Sequence, residues 1–264
     1  MRSTLISKQK SIYKFLHPEW THYTRNIEID FLLEYLKPGQ KILEIGSGDG
    51  YVAHYLSSKH QLNVTASDIE PRLPQYTDVL NTKDIKSFQN NYYDVIISIH
   101  VLEHVNDIDS LLKDNMKYLK KDGVMLHIMP STINMFVTSL VQPLAYIRSI
   151  YLILNGYHLS RFTPFQKKNI FRFLKFCFKT LNPYNIVWGS GHGIHNRWNC
   201  FRYWNLKSWV SIFHRNKLVV EKTFSSPFLY SMHKIFPFIG TSIRRKMARI
   251  GFSSSSLFIL RKQD

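Results

Sequence analysis

The stretch Lys41-Ile42-Leu43-Glu44-Ile45-Gly46-Ser47-Gly48-Asp49-Gly50 decides the fold. A short apolar run leads directly into glycines at alternate positions, and Val52, Leu56 and Lys59 then fall at helical spacing. Strand, glycine loop and helix in that order open a βαβ unit. Glycine allows the backbone to turn sharply and to approach a ligand at a helix N-terminus, where unpaired N–H groups point outward. A nicotinamide dinucleotide fingerprint counted from Gly46 and Gly48 requires glycine at position 51, which is Tyr51. The acid that opens the loop, Glu44, suits a cationic ligand group better than a pyrophosphate.

Working outward, Ile27, Ile29, Phe31, Leu32, Tyr35 and Leu36 predict a helix over 27–36, stopped by Pro38-Gly39. Asn63 to Asp68 is a second strand, and Asp68 ends it about twenty residues after the loop, where a carboxylate can accept both hydroxyls of a ribose. Tyr93 to Ile99 is a continuous apolar strand of the kind parallel sheets bury on both faces. A helix over Asp107 to Leu119, a turn at Lys121-Asp122-Gly123 and a buried strand over Val124 to Met129 follow. Strands alternating with helices give an α/β fold: a doubly wound, mostly parallel Rossmann-like sheet. After Pro130 the sequence turns aromatic, basic and weakly periodic, as expected of a basic, aromatic-rich insertion after the fifth strand. Regularity returns with a helix over Asn205 to His214, a strand over Lys217 to Lys222, a basic helix over Ser242 to Ile250 and a strand over Ser256 to Leu260. The expected organisation is an N-terminal helical segment (1–40), the cofactor half of the domain (41–130), an inserted cap (131–200) and a C-terminal helix and strands completing the same domain (201–264).

The sequence resembles the class I S-adenosylmethionine-dependent methyltransferases. The resemblance is carried by Ile42 to Gly50, by Ser67-Asp68-Ile69, by Tyr93-Asp94-Val95-Ile96 with Val101-Leu102-Glu103-His104-Val105, and by Leu119 to Gly123, over roughly residues 27–130. It implies S-adenosyl-L-methionine as cofactor. Glu44 and the loop of Gly46, Ser47, Gly48 and Gly50 would hold its methionine end, and Asp68 with Ile69 its ribose side. Asp84-Ile85 would flank the adenine, with Ser98 and His104 lining the pocket near the sulfonium. Asp84 stands somewhat nearer the fourth strand than the family's acid.

Methyl transfer is a displacement at carbon on an already activated donor, so the protein aligns the reactants and, for a hydroxyl acceptor, removes a proton. Histidine is the natural base. His100 lies at the carboxyl end of the fourth strand, facing the crevice where open α/β sheets bind ligands. His192 and His195 lie in Gly189-Ser190-Gly191-His192-Gly193-Ile194-His195-Asn196-Arg197, which reads equally as a mobile surface loop or as a substrate lid. His127, inside an apolar strand, is expected to be a satisfied core histidine.

Hydrophobic residues make up 44% of the 264, which excludes a disordered tail. Residues 1–130 hold 15 Lys+Arg against 16 Asp+Glu, whereas residues 131–264 hold 20 against only Glu221 and Asp264, a balance of +18. The second half is built for something anionic: a phosphorylated substrate, nucleic acid or an acidic membrane surface. Cys177 and Cys200, the only cysteines, form neither a disulfide framework nor a zinc spacing and fit a reducing cytosol. Met1 to Lys10 leads into no apolar signal region, and Gln142, Pro143 and Arg148 interrupt the apolar run Phe136 to Leu154 before a spanning length of roughly 20 residues. A cytoplasmic protein is expected, with peripheral contact on the inner membrane face. Lys168, Arg172, Lys175 and Lys179 form a basic stripe beside an aromatic face over Lys167 to Leu181, an amphipathic helix suited to that contact.

Residues 186–264 are also similar to the C-terminal halves of methyltransferases that accompany surface-polysaccharide and glycolipid assembly. The likeness lies in His192-Gly193, Phe201 to Trp204, Trp209, Val219-Val220 and Ser255 to Lys262. It implies O-methylation of a small-molecule, glycan or lipid-linked acceptor. Against a nucleic-acid amino-methylating enzyme, the place after the fourth strand reads Ser98-Ile99-His100-Val101 rather than an Asn/Asp-Pro-Pro-aromatic turn. Neither cysteine occupies the nucleophile position of a cytosine carbon methyltransferase. Ribose methylation of RNA and a non-catalytic partner subunit of the same fold remain as alternatives.

Overall fold

The computed structural model describes residues 18–69, 81–82, 88–154, 200, 204–230 and 239–263. Helix α1 (Pro18–Leu33) precedes β1 (Lys41–Ile45), α2 (Tyr51–His60), β2 (Asn63–Ser67), β3 (Asn81–Thr82) and β4 (Tyr93–Ile99). A 3-10 turn (Leu102–His104), α3 (Ile108–Tyr118), β5 (Leu119–Pro130) and α4 (Thr132–Leu154) follow. The chain then runs through α5 (Leu206–Arg215), β6 (Leu218–Ser225), α6 (Thr241–Arg249) and β7 (Ser255–Lys262).

The seven strands form one sheet in the order β3-β2-β1-β4-β5-β7-β6. β1 pairs in parallel with β2 and β4, and β4 with β5. β7 is antiparallel to both its neighbours, β5 and β6. The sequence shows why β7 is interior and β6 the edge. Leu257 to Leu260 are all buried, a continuous apolar run suited to a strand covered on both faces. β6 carries Glu221-Lys222 with a register shift between Val220 and Lys222, the charged and bulged character of an edge.

Side chains alternate along each strand into two layers. Leu43, Ile45, Ile96, Met125, Met129, Phe258 and Leu260 pack under Leu112 of α3 and Trp209 and Phe213 of α5. Ile42, Val95, Ile97, Ile99, Leu126, Ile128, Leu257 and Ile259 pack under Ile29 and Leu32 of α1 and Val52 and Leu56 of α2. Two expectations are corrected. The first helix spans Pro18–Leu33 instead of 27–36. Lys121-Asp122-Gly123 is a bulge inside β5, because β4 pairs Tyr93 with Leu119 and Val95 with Val124. After β1 the chain builds β2 and β3 on one side and returns to β4 on the other. The reversal leaves a crevice beyond the carboxyl ends of β1 and β4, where ligands bind in such sheets.

The Lys167–Leu181 segment and most of the expected cap lie outside the described residues.

Candidate functional site

The loop after β1 is held by hydrogen bonds to its neighbours. Gly46 and Ser47 donate to the Ser67 carbonyl at 2.7 and 3.0 Å, and Gly50 donates to the Ser47 carbonyl at 2.9 Å. Gly46 has φ +73°, and a Cβ there would meet the Val101 methyls at 2.5 and 2.7 Å, so the loop is seated against the segment that follows β4. Gly48, at φ +60°, would point a Cβ into open space with nothing within 4 Å. Its amide donates to Asp68 Oδ2 at 2.7 Å. That bond brings the second-strand carboxylate beside the loop, and the Ile69 side chain next to it is 79% exposed.

Glu44 is buried and its Oε2 accepts the Ala53 amide at 3.1 Å. Burial pushes its carboxyl up to about 8, although Arg25 and the Ala53 amide pull it down. It is a buried acid that a cationic ligand group would ionise.

Glu28 is the residue that sequence reasoning missed. Its Oε1 accepts from the Tyr230 hydroxyl at 2.5 Å and from Ser255 Oγ at 2.9 Å, and lies 2.7 Å from His100 Nε2. Its Oε2 is 3.1 Å from Arg25 Nη1. His100 Nε2 is also 2.9 Å from the Tyr230 oxygen, and His100 Nδ1 lies 3.6 Å from Glu103 Oε1. Burial favours neutral forms here, but the paired charges outweigh it: Glu28 falls to about 2, and Glu28 with Glu103 raises His100 to about 9. Burial raises Glu103 and its two histidine neighbours, His100 and His104, bring it below the usual carboxylate range. His100 adopts φ +55° at the end of β4, a left-handed conformation that the surrounding bonds hold in place. A signal for Glu28 existed in the sequence. It precedes Leu32 by four residues, so a carboxylate stands in the apolar stripe of α1.

The placements bear on the expected roles. Glu44, Gly46, Ser47, Gly48, Gly50, Asp68 and Ile69 lie together around the mouth of the β1 loop, and His104 lies beyond β4, 3.8 Å from Glu103. His100 stands at the end of β4 with Nε2 engaged by Glu28 and Tyr230 and Nδ1 beside Glu103, and its pKa is raised to about 9, which disfavours the neutral ring that a base needs. Ser98 is corrected. It is paired in register with His127, and its hydroxyl oxygen lies 2.7 Å from His127 Nδ1, fully buried in the layer under α5. His127 is half satisfied: Nδ1 has Ser98, Nε2 has no partner among the described residues, and burial lowers it to about 4. Asp84, Ile85, His192 and His195 lie outside the described residues.

A family model described as a methyltransferase domain matches residues 20–222. The chain belongs to the methyltransferase-domain family. Its cofactor is S-adenosylmethionine, and the residues present fit that molecule: two carboxylates, Glu44 and Asp68, for its cationic and diol ends, and open space over Gly48. A ubiquinone biosynthesis O-methyltransferase of Rickettsia typhi is 27% identical over 51% of this chain and 63% of its own. A phosphoethanolamine N-methyltransferase of Zea mays is 29% identical over 34% of this chain and 21% of its own. A cyclopropane-fatty-acyl-phospholipid synthase of Escherichia coli is 29% identical over 34% of this chain and 26% of its own. The chain thus spans less than two thirds of the length of each of these relatives. Among solved structures, a SAM-dependent methyltransferase from Archaeoglobus fulgidus aligns with a TM-score of 0.53 at 14% identity, covering 95% of this chain and 100% of that one. A TehB-like enzyme from Corynebacterium glutamicum aligns at 0.50 and 14% identity, covering 96% and 100%. These likenesses show the fold.

Proposed function

We propose that this methyltransferase domain transfers the methyl group of S-adenosylmethionine to an oxygen of a glycan or lipid-linked acceptor, reached at an anionic membrane surface. The observation that carries the methyl-transfer reading is the Gly48–Asp68 bond beneath open space, with buried Glu44 behind it. The acceptor class draws on the relatives, whose names refer to ubiquinone biosynthesis, phosphoethanolamine and a fatty-acyl phospholipid, and on the +18 balance of residues 131–264.

In this reading Asp68 takes the ribose hydroxyls, Glu44 and the loop take the methionine end, and Ile69 covers the ring system. The bound cofactor supplies an electrophilic methyl group. His100 is a positioning residue: its charge, fixed by Glu28 and Glu103, holds the end of β4 and the C-terminal Tyr230 at the crevice wall. Removal of a hydroxyl proton falls to His192 or His195, and His104 shapes the cofactor pocket.

The test is incubation of the full chain with methyl-labelled cofactor and separated lipid, glycan and RNA extracts. Label in a lipid-linked or glycan fraction, stable to mild base as an ether is, supports the proposal. Label confined to RNA, or transfer to none of them by a chain that binds the cofactor, overturns the acceptor.

A further inference from the structure

The basic helix α6 and the turn behind it carry more than the methyl-transfer site needs. Arg244 points inward: its Nε donates to the Ile239 carbonyl at 3.0 Å, its Nη1 to the Leu229 carbonyl at 3.2 Å, and its guanidinium lies 5.2 Å from the Trp20 ring centre. With Ala248 also buried, this anchor fixes the opposite arc of the helix outward. On that arc stand Ile243, Lys246, Arg249 and Ile250, with Arg245 beside them, all exposed. Among the described residues no acidic side chain forms an ion pair with Arg245, Lys246 or Arg249.

The helix does not fray into this arrangement. Gly251, at φ +99°, donates to the Ala248 carbonyl at 3.1 Å and Phe252 donates to the Met247 carbonyl at 3.0 Å, the paired bonds of a Schellman cap. Ile250 is 74% and Phe252 47% exposed. Two residues on, Ser253 and Ser254 accept the Ser131 hydroxyl at 2.5 Å and the Ser131 amide at 3.0 Å, which joins the turn to the start of α4 at the carboxyl edge of the sheet. Along α4, Leu140, Leu144 and Ile147 are exposed at spacings of four and three, a second apolar stripe leaving from the same edge.

We infer that α6 and its Ile250–Phe252 turn form a docking surface for an anionic lipid bilayer, with the α4 stripe as a second apolar contact. Cations and exposed aliphatic side chains on one rigid helix end are what an interfacial helix uses: the cations meet lipid phosphates and the aliphatics enter the acyl boundary. An RNA backbone would use the cations and leave Ile243 and Ile250 in water. Because the turn is tied through Ser254 and Ser255 to Tyr230 and Glu28, docking there brings the site edge to the membrane. The inference deepens the lipid-linked reading above, and its test needs neither cofactor nor acceptor.

The full chain is sedimented with vesicles of phosphatidylcholine alone and of phosphatidylcholine mixed with phosphatidylglycerol, at low and high salt, beside an RNA oligonucleotide retention assay. Pelleting with the anionic vesicles only, weakening with salt, is expected. The Lys246→Glu/Arg249→Glu pair should lower partitioning by about 25-fold or more, at about fivefold for each cation lost. Ile250→Ser/Phe252→Ser should lower it as well while leaving RNA retention unchanged. All four positions are exposed, and an unchanged thermal midpoint shows that the variants fold. Equal pelleting with neutral vesicles, no pelleting at low salt, or wild-type partitioning by either folded variant overturns the surface. So does retention of RNA by a chain that ignores anionic vesicles. A chain that docks but methylates neither a lipid-linked nor a glycan fraction overturns the acceptor and leaves the surface standing.

Discussion

His100 Nε2 and Glu28 Oε1 lie 2.7 Å apart, joining the end of β4 to the buried face of α1 across 72 positions of sequence. Removing one member of a buried ion pair leaves the other uncompensated, typically at a cost of about 3 kcal/mol or more. Glu28→Gln is expected to lower stability by about that amount. His100→Asn keeps a residue that tolerates the left-handed backbone, so its loss isolates the charge from the strain. Denaturant titration of both variants checks this; wild-type midpoints would show that the pair contributes nothing.

The same pair sets a pH window. Glu28 has its pKa lowered to about 2, so its contribution is present above 4.5 and disappears as pH falls toward 2. His100 has its pKa raised to about 9, so its contribution is complete below 6.5 and is lost as pH rises through 9. Glu44, raised to about 8, adds its own decline between 4.5 and 8. The decline that persists between pH 8 and 9 therefore belongs to His100 among these groups. Thermal midpoints against pH should show it in the wild type and not in His100→Asn.

Two neighbouring glycines should separate packing from binding. A methyl at Gly46 strains φ +73° and strikes Val101, and Gly46→Ala should cost at least 2 kcal/mol of stability. Gly48→Ala meets no neighbour, so its stability loss is confined to roughly 1 kcal/mol of backbone strain while its methyl intrudes on the cofactor's space. Equal loss of stability in the two variants, with unimpaired cofactor binding by Gly48→Ala, would contradict this assignment.

Glu44 predicts a proton linkage. A carboxyl titrating at about 8 in the free chain ionises when a cation binds beside it, so cofactor binding below pH 7 should release a proton and tighten as pH rises to about 8. Calorimetry in two buffers of different ionisation enthalpy measures that proton. Glu44→Gln should abolish it, and zero release by the wild type would remove Glu44 from the methionine end.

The base is tested by pH profiles. Turnover of His100→Asn should fall without losing its acid limb, whereas alanine at the true base, His192 or His195, should flatten that limb. A flattened limb in His100→Asn alone would restore His100 as the base.

Much of this was legible because strands with covered faces have continuous apolar sequence. β1 and β4 fall where Lys41 to Ile45 and Tyr93 to Ile99 place them, and the β1 loop announces itself by glycines. The start of α1 was not, since among the residues of its first turns whose burial is described Trp20 and Thr24 mark the buried face, too short a pattern to announce a helix. The antiparallel seat of β7 depends on the path through α6, which no local pattern records. Ser98 was misjudged because nearness to the strand end outweighed parity: like Ile96, it points under α5. The Glu28–His100–Tyr230 cluster gathers distant segments around one unusual backbone angle, which periodicity cannot show.

The proposed reaction rests on S-adenosylmethionine sitting over Gly48 with its ribose on Asp68. Titration calorimetry of the cofactor against the wild type and Asp68→Ala measures it most directly. Saturable binding of one cofactor per chain is expected, weakened roughly 30-fold in the variant by loss of a charge-assisted contact of about 2 kcal/mol, with the variant still unfolding in one cooperative transition although it has lost the Gly48–Asp68 bond. Equal affinity in the two proteins, or no binding by the folded wild type, would contradict it.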